Sequence, residues 1–251
     1  MKVALITGGS RGLGKSMAQH LASHGTDVII TYQSQKAAAD TLVQEIQATG
    51  RKAVALSLDI TKRETFADFA SQIQAALKTV WKRSDFDYLV NNAGMGMPPL
   101  MIAETTPEIF DRMVDAHLKA PFFLTQKLLP LMKDGGRILN ISSGLARFSY
   151  PGFGAYAMMK GGIEVFTRYL AKELGGRKIA VNTIAPGAIA TDFGGGRVRD
   201  DAELNKMIAS QTALGRVGVP DDIGGAVAAI LADESGWING QCIEVSGGIH
   251  L

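Results

Sequence analysis

The chain alternates short apolar runs with longer runs whose apolar residues return every three or four positions. Val3–Ile6 is continuously apolar, and 28–31, 53–58, 88–90, 138–141, 179–184 and 243–245 share its short, largely β-branched character. Helical patterns lie between them. Met17, Ala18, Leu21 and Ala22 occupy one helical face ahead of Gly25, and Leu42, Val43 and Ile46 another ahead of Gly50. Phe66, Phe69, Ile73 and Leu77 form a third, and longer patterns run over about 107–132, 155–174 and 221–232. Apolar strands alternating with amphipathic helices predict a mostly parallel seven-stranded sheet with helices on both faces. No repeat, low-complexity run or linker breaks the alternation, so 1–251 is expected to be a single doubly wound α/β domain. The least regular stretch, 188–215, holds Gly194-Gly195-Gly196 and a mixed charge run from Arg197 to Glu203. It is expected as a substrate lid, with an ordinary surface connection as the alternative.

Composition narrows the classes. With 46% hydrophobic and 20% charged residues the chain has the mass for a sizeable core. Lysines and arginines number 26 against 24 acids, a balance with no basic cluster dense enough for a nucleic-acid backbone. One cysteine, Cys242, excludes an internal disulfide and a thiolate zinc site; it reads as a small core residue of an apolar strand. His20 and His24 have the spacing of zinc ligands without a third partner, so they read as a solvated face and no metal is expected. The Phe122-Phe123 pair and the ten methionines read as packing. The apolar run at the N-terminus is too short for a signal peptide core, and no run approaches the roughly 20 residues of a spanning helix. A cytoplasmic, membrane-free protein is the expectation.

Chemistry begins directly after the first strand, at Thr7-Gly8-Gly9-Ser10-Arg11-Gly12-Leu13-Gly14. A pyrophosphate needs backbone N–H groups at a helix N-terminus and residues without side chains to let it approach. Gly8, Gly12 and Gly14 supply both, between a strand and a helix. Further on stand Leu58-Asp59-Ile60 at a strand end, Asn91-Asn92-Ala93-Gly94 at the next, Ser142-Ser143, Tyr156-Ala157-Met158-Met159-Lys160, Pro186-Gly187 and Thr191. These motifs, in this order, resemble the short-chain dehydrogenase/reductase family over the whole chain, within it most of all the 3-oxoacyl-acyl-carrier-protein reductases and related ketoreductases.

The resemblance implies a Rossmann-type domain and a nicotinamide-dependent oxidoreductase. Its cofactor contacts would be Gly8, Ser10, Arg11, Gly12, Leu13, Gly14, Asp59 (at the adenine), Ile60, Asn92, Ala93, Gly94, Pro186, Gly187, Ile189 and Thr191 (at the carboxamide), with Tyr156 and Lys160 completing them. The residues themselves suggest the chemistry. Hydride delivery to a ketone leaves an alkoxide that needs a proton. Tyr156 and Lys160, four apart, share a helix face, and the ammonium is expected to lower the phenol's pKa. Ser143, 13 residues before Tyr156, is placed to hydrogen-bond the substrate oxygen. A dinucleotide-binding sensor of the same fold with little turnover is the competing class.

The second strand ends Thr31-Tyr32-Gln33-Ser34, with no acid for a ribose 2′-hydroxyl. Ser10, Arg11, Gln33 and Ser34 are therefore expected to seat a 2′-phosphate, and NADP(H) is preferred over NAD(H). The substrate is expected to be a small-molecule or acyl-carrier-bound carbonyl compound. A carrier would want a basic rim, for which Lys133, Arg137, Arg177 and Lys178 are the candidates, interrupted by Asp134. The resemblance also implies a homo-oligomer, a tetramer built on the helices at 107–132 and 155–174. It fails at one place. His117 stands where the family has an asparagine holding a water of the proton relay. A neutral imidazole offers one donor and one acceptor for that task, and it is expected to titrate near neutral pH; the alternative is that His117 packs mid-helix and the relay runs without it.

Overall fold

The computed structural model describes all residues, Met1–Leu251. Seven strands form one sheet: β1 (Val3–Ile6), β2 (Asp27–Tyr32), β3 (Ala53–Ser57), β4 (Phe86–Asn91), β5 (Met132–Ile141), β6 (Ala180–Pro186) and β7 (Cys242–Val245). Their order is β3-β2-β1-β4-β5-β6-β7, and every neighbouring pair is parallel. The chain therefore winds outward twice from the centre, and the strand order reverses between β1 and β4. A crevice at such a reversal, beyond the carboxyl ends of the strands, is where doubly wound sheets bind ligands.

The helices between strands are α1 (Gly12–Ser23), α2 (Lys36–Ala48), α3 (Phe66–Ala76), α4 (Pro107–Val114), α5 (Ala120–Leu128), α6 (Gly154–Glu173) and α9 (Pro220–Leu231). Strand alternation divides the core in two. Ala4 and Ile6 of β1 face Met17 and Leu21 of α1, Leu42 of α2 and Val227 of α9. Val3 and Leu5 face the other way, into Phe69 and Ile73 of α3, Leu124 of α5 and Leu170 of α6. Gly224 lets α9 lie against α1, since a Cβ there would come within 2.3 Å of Ser16 Oγ.

The sequence pattern and the structure part in three places. β5 starts at Met132, not 138, because Gly135 (φ +79°) and Gly136 hide the strand in a register shift opposite Phe86 and Tyr88. The long helix expected at 107–132 is α4 and α5 joined by a π turn at Asp115–Lys119. Cys242 is exposed on the edge strand β7 instead of packed in the core. Cys242 shares its face of β7 with Glu244, and that face is open to solvent while Ile243 and Val245 opposite are partly covered.

Stretch 188–215 leaves β6, turns through Gly194, Gly195 and Gly196, all at positive φ, and forms the short α7 (Arg197–Asp200) and α8 (Ala202–Ser210). It lies down over the crevice. Gly96 and Gly194 meet so closely that a Cβ on Gly96 would fall 2.4 Å from the Gly194 nitrogen. Tyr150 donates its hydroxyl proton to Met207 Sδ at 3.5 Å.

Candidate active site

The turn after β1 depends on absent side chains. Gly8 (φ +67°) and Gly12 (φ +54°) occupy the left-handed region. Gly14 sits in the first turn of α1, where a Cβ would be 2.2 Å from the Gly8 carbonyl oxygen and 2.7 Å from Asn92 Nδ2. α1 begins without a side-chain cap and without an acid in its first turn. Its first N–H groups and the positive end of its dipole are thus available to an anion. Asn92 fastens the turn from across the strand reversal, donating from Nδ2 to Thr7 O (2.8 Å) and Gly8 O (3.2 Å). Thr7 Oγ1 in return accepts from the backbone N–H of Asn92 (3.0 Å) and Ala93 (2.9 Å). A dinucleotide pyrophosphate fits this cradle by charge and by clearance.

Beyond the cradle, Asp59 Oδ1 accepts from Thr61 N (3.0 Å) and Thr61 Oγ1 (2.7 Å). Partial burial pushes the Asp59 carboxyl up, but hydrogen bonds from Thr61 and Gln33 outweigh it and hold the group below its ordinary range. Gln33 and Ser34 stand exposed at the end of β2. Arg11 is exposed too, its Nη1 3.8 Å from Asp192 of the covering stretch, which Arg199 also holds. No carboxylate of β2 faces this corner.

The reactive group assembles between β5, α6 and the π turn. Ser143 follows β5 and its Oγ accepts from Leu145 N at 3.3 Å. Tyr156 projects from the first turn of α6, and Lys160 one turn later is buried, its Nζ donating to Ile141 O at 2.8 Å and lying 5.4 Å from the centre of the tyrosine ring. His117 meets the Tyr156 ring edge-on, with centroids 5.3 Å apart. Its Nε2 lies 2.8 Å from Met95 O. A carbonyl can only accept, so the proton is on Nε2 and Nδ1 is an acceptor.

Two expectations are corrected here. Lys160 does not bring the phenol below its ordinary pKa: burial pushes Tyr156 well up, and only the Ser143 hydroxyl pulls it back. Burial also pulls Lys160 down to about 8. Lys160 is buried and Tyr156 half-buried on the cleft wall, and desolvation of the phenolate exceeds what an ammonium bonded elsewhere returns. Nor does His117 titrate near neutrality. Burial, with the charge of Lys160 added, lowers it to about 3, so the imidazole is neutral throughout the working range.

A single cleft of about 960 Å³ runs from the end of β2 to the loops beyond β5. Every residue named from the sequence as catalytic or cofactor-binding stands on its wall, including Leu13, Ile60, Gly94, Pro186, Gly187, Ile189 and Thr191. The basic rim is not among them. Lys133, Arg137, Arg177 and Lys178 lie toward the amino ends of β5 and β6, at the far side of the sheet. Arg177 is held there by Asp134 (2.7 Å) and Arg137 is buried against the carbonyls of Ile230 and Asp233. No group of three His, Cys, Asp or Glu side chains is arranged to hold a metal.

Some contributors escaped the sequence. Arg147 donates to His250 O (2.9 Å), Ile249 O (3.0 Å) and Glu244 Oε1 (2.9 Å), tying the last residues to the loop that carries Ser143. His250 packs on Phe148 at 4.6 Å between centroids and lines the cleft. No motif marks such a clamp, because its acceptors are mostly backbone. Asn91 was visible only as part of a strand-end motif.

The model of a protein family described as enoyl-(acyl carrier protein) reductase matches residues 8–250. The chain belongs to the short-chain dehydrogenase/reductase family. It is an oxidoreductase of the carbonyl/alcohol class that uses a nicotinamide cofactor. Among its relatives, the hydroxynaphthalene reductase-like protein Arp2 of Metarhizium brunneum is 38% identical over 98% of this chain and 94% of its own. Among solved structures, the promiscuous reductase LugOII, which catalyses keto-reduction at C1 during lugdunomycin biosynthesis, superposes with a TM-score of 0.94 at 39% identity, covering 100% of this chain and 98% of its own. The angucycline C-6 ketoreductase LanV with bound NADP has a TM-score of 0.93 at 35% identity, over 98% and 95% of the two chains.

Proposed function

We propose that this short-chain reductase uses NADPH to reduce a ketone on a polycyclic aromatic small molecule. The observation that carries the reading is the wall of the cleft beyond Tyr156. Met95, Met97, Phe148, Phe153, Phe193 and Met207 line it, flat aromatic faces and adaptable thioethers suited to fused rings. The similar proteins support the same direction: one is named a hydroxynaphthalene reductase-like protein, one catalyses keto-reduction at C1 during lugdunomycin biosynthesis and one is an angucycline C-6 ketoreductase. NADP(H) is the cofactor supported by the bare end of β2, by Arg11 and by the NADP bound to LanV. A carrier-bound acyl chain is the weaker alternative, since the basic residues that would greet a carrier protein are at the other end of the sheet.

NADPH supplies the hydride when bound in the cradle. The chain's residues do the rest. Tyr156, whose burial keeps its proton on at neutral pH, donates that proton to the carbonyl oxygen as negative charge grows there. Ser143 donates a hydrogen bond to the same oxygen. Lys160, fixed by Ile141 O, places its charge beneath the phenol and favours the tyrosinate left behind. His117 orients the ring of Tyr156 by its edge and presents an acceptor toward the lysine. Residues 188–215 act as a lid, with the three glycines as its hinge. The helix face where Phe122 stacks on Phe166 (5.1 Å) and Tyr169 stands 66% exposed supports self-association through α5 and α6; sedimentation of the purified chain would measure it.

The deciding experiment follows NADPH absorbance against a panel of aromatic polycyclic ketones, simple ketones and acyl thioesters. Turnover should be fastest with the fused-ring ketones. Consumption with none of them, at cofactor concentrations that bind, would favour the sensor reading.

A further inference from the structure

An arginine that no step of the reduction uses spends its bonds on the end of the chain. Arg147 donates from Nη1 to His250 O (2.9 Å) and from Nη2 to Ile249 O (3.0 Å) and Glu244 Oε1 (2.9 Å). Nearly half of the side chain is exposed, so water screens its charge against Glu244. What the guanidinium contributes is its fixed fork of donors, which holds two successive carbonyls at once. The backbone it holds is an uncommon one. Gly247 and Gly248 turn the chain through the left-handed region, and His250 takes φ +51°, which residues with a side chain seldom adopt. Such a conformation persists only where its surroundings fix it.

The arginine closes a connection between two parts of the cleft wall. On one side is the turn that carries Ser143. Ala146 N donates to Ser143 O (3.0 Å), and Arg147 N (2.9 Å) and Phe148 N (3.1 Å) both donate to Gly144 O. Leu145 N donates to Ser143 Oγ at 3.3 Å, so the turn sets the direction of the hydroxyl. It has no slack, because a Cβ on Gly144 would meet the Phe148 ring at 2.8 Å. On the other side is the end of the covering stretch 188–215. Ala213 N donates to Gly248 O (3.1 Å), Leu214 N to Gly247 O (3.0 Å) and His250 N to Gln211 O (3.3 Å). Thr212 and Ile249, both buried, pair between them. The last residues are thus joined to the covering stretch by backbone bonds, and to the Ser143 turn by Arg147 and by His250 against Phe148.

We propose that residues 247–250 form a strap coupling the covering stretch to Ser143, and that Arg147 is the positioning residue through which the strap acts. The proposal rests on the reading of Ser143 as a hydrogen-bond donor to the substrate oxygen. Phe193 and Met207 of the covering stretch stand on the wall of the same cleft. A ketone seated under them therefore bears on the backbone that aims the Ser143 hydroxyl. No hydrogen bond joins the strap to the cradle at Gly8–Gly14. Loss of the fork should therefore slow the reaction and leave the cofactor's affinity alone.

Hydrogen exchange on the whole chain is the first test. In Arg147→Leu the amides of 146–148 and those of 213–214 should both exchange about tenfold faster than in wild type, while those of β1 and α1 keep their rates. Faster exchange in one of the two segments alone, or in neither, overturns the coupling. The second test is ketone reduction at saturating substrate. Arg147→Leu should lower kcat about tenfold and leave KM for NADPH unchanged, a part of the roughly 10²–10³-fold that an aligned donor to a developing oxyanion contributes. A double-mutant cycle separates positioning from general loosening: on a Ser143→Ala background, Arg147→Leu should cost no more than about twofold. The full tenfold loss on that background, or no loss when Ser143 is present, overturns the role of Arg147. Should Arg147→Leu not fold, Arg147→Lys, which keeps the charge but not the fork, carries the same comparisons at smaller amplitude. The exchange result does not depend on turnover, so coupled exchange in a chain that reduces no ketone would count against the reductase reading alone.

Discussion

The two halves of the cleft are built by opposite means. On the cofactor side, from Gly8 to Gly14 and across to Asn92, the surface is mostly backbone, and the clearances are so small that a methyl group would not fit at Gly14. On the other side, the walls are side chains on loops, and two of the three glycines at 194–196 have open space around them: a Cβ on Gly194 or Gly195 would meet nothing within 4 Å. Glycine at 14 is required by its neighbours, at 194 and 195 by φ alone. That contrast predicts a stiffer wall on the cofactor side than at 194–195.

The largest effect expected is at the seam between the halves. Tyr156→Phe deletes one hydroxyl and leaves packing and cofactor affinity nearly intact, while turnover drops by at least about 10²-fold; retention of most of the turnover in steady-state kinetics would remove the tyrosine from the mechanism. On the cofactor side, Arg11→Ala should weaken NADP(H) about tenfold and hardly touch NAD(H). The figure is the low end for a charged hydrogen bond, about 1.5 kcal/mol, because Arg11 is 63% exposed and water screens it. Equal losses for both cofactors in a titration would contradict the 2′-phosphate pocket.

Glycine replacements address the contrast itself. Gly14→Ala should cost about 1–3 kcal/mol of folding stability and of cofactor binding together, because the new methyl meets fixed backbone. Gly195→Ala, at φ +80° in open space, should cost only about 1 kcal/mol and change kcat or KM for the ketone by a few-fold, leaving cofactor affinity alone. If both variants lose cofactor affinity equally in calorimetry, the halves are not mechanically distinct.

Two pH effects are smaller and more specific. The lysine's pKa of about 8 lies below its unfolded value, so its charge is lost as pH rises through about 8, and the rate of reduction should fall there. His117, at about 3, should add no inflection to activity between pH 5 and 8. It should instead appear in stability. The unfolded imidazole binds its proton near 6.5 and the folded one only near 3, so the chain loses stability as pH falls through that window. Denaturant melts of His117→Asn should show a shallower acid slope than wild type.

The sheet, its strand count and the clustering of Ser143, Tyr156 and Lys160 were legible because each is encoded locally, by apolar runs, by glycines at strand ends or by a four-residue helical spacing. What escaped depends on the third dimension. The four-apart spacing showed that Lys160 and Tyr156 share a face, but not how far each is withdrawn from water, and burial decides their pKa values. The histidine's replacement of asparagine was plain, yet its tautomer is set by Met95 from another loop. The basic residues near 133 and 177 looked like a rim only because sequence does not say which end of the sheet they reach. Cys242 looked buried because an edge strand reads like a central one.

That edge position has a practical side. The single thiol is exposed, yet burial of part of the residue and the nearby Glu164 and Glu244 carboxylates push it up to about 12. Thiolate is the form that couples to electrophiles, and at neutral pH almost none is present. A cysteine placed by Glu203→Cys on the solvent side of α8 would therefore take a maleimide dye well before the native one does. The native background leaves residues 188–215 free to be labelled, and fluorescence would show whether that stretch moves when the cofactor binds.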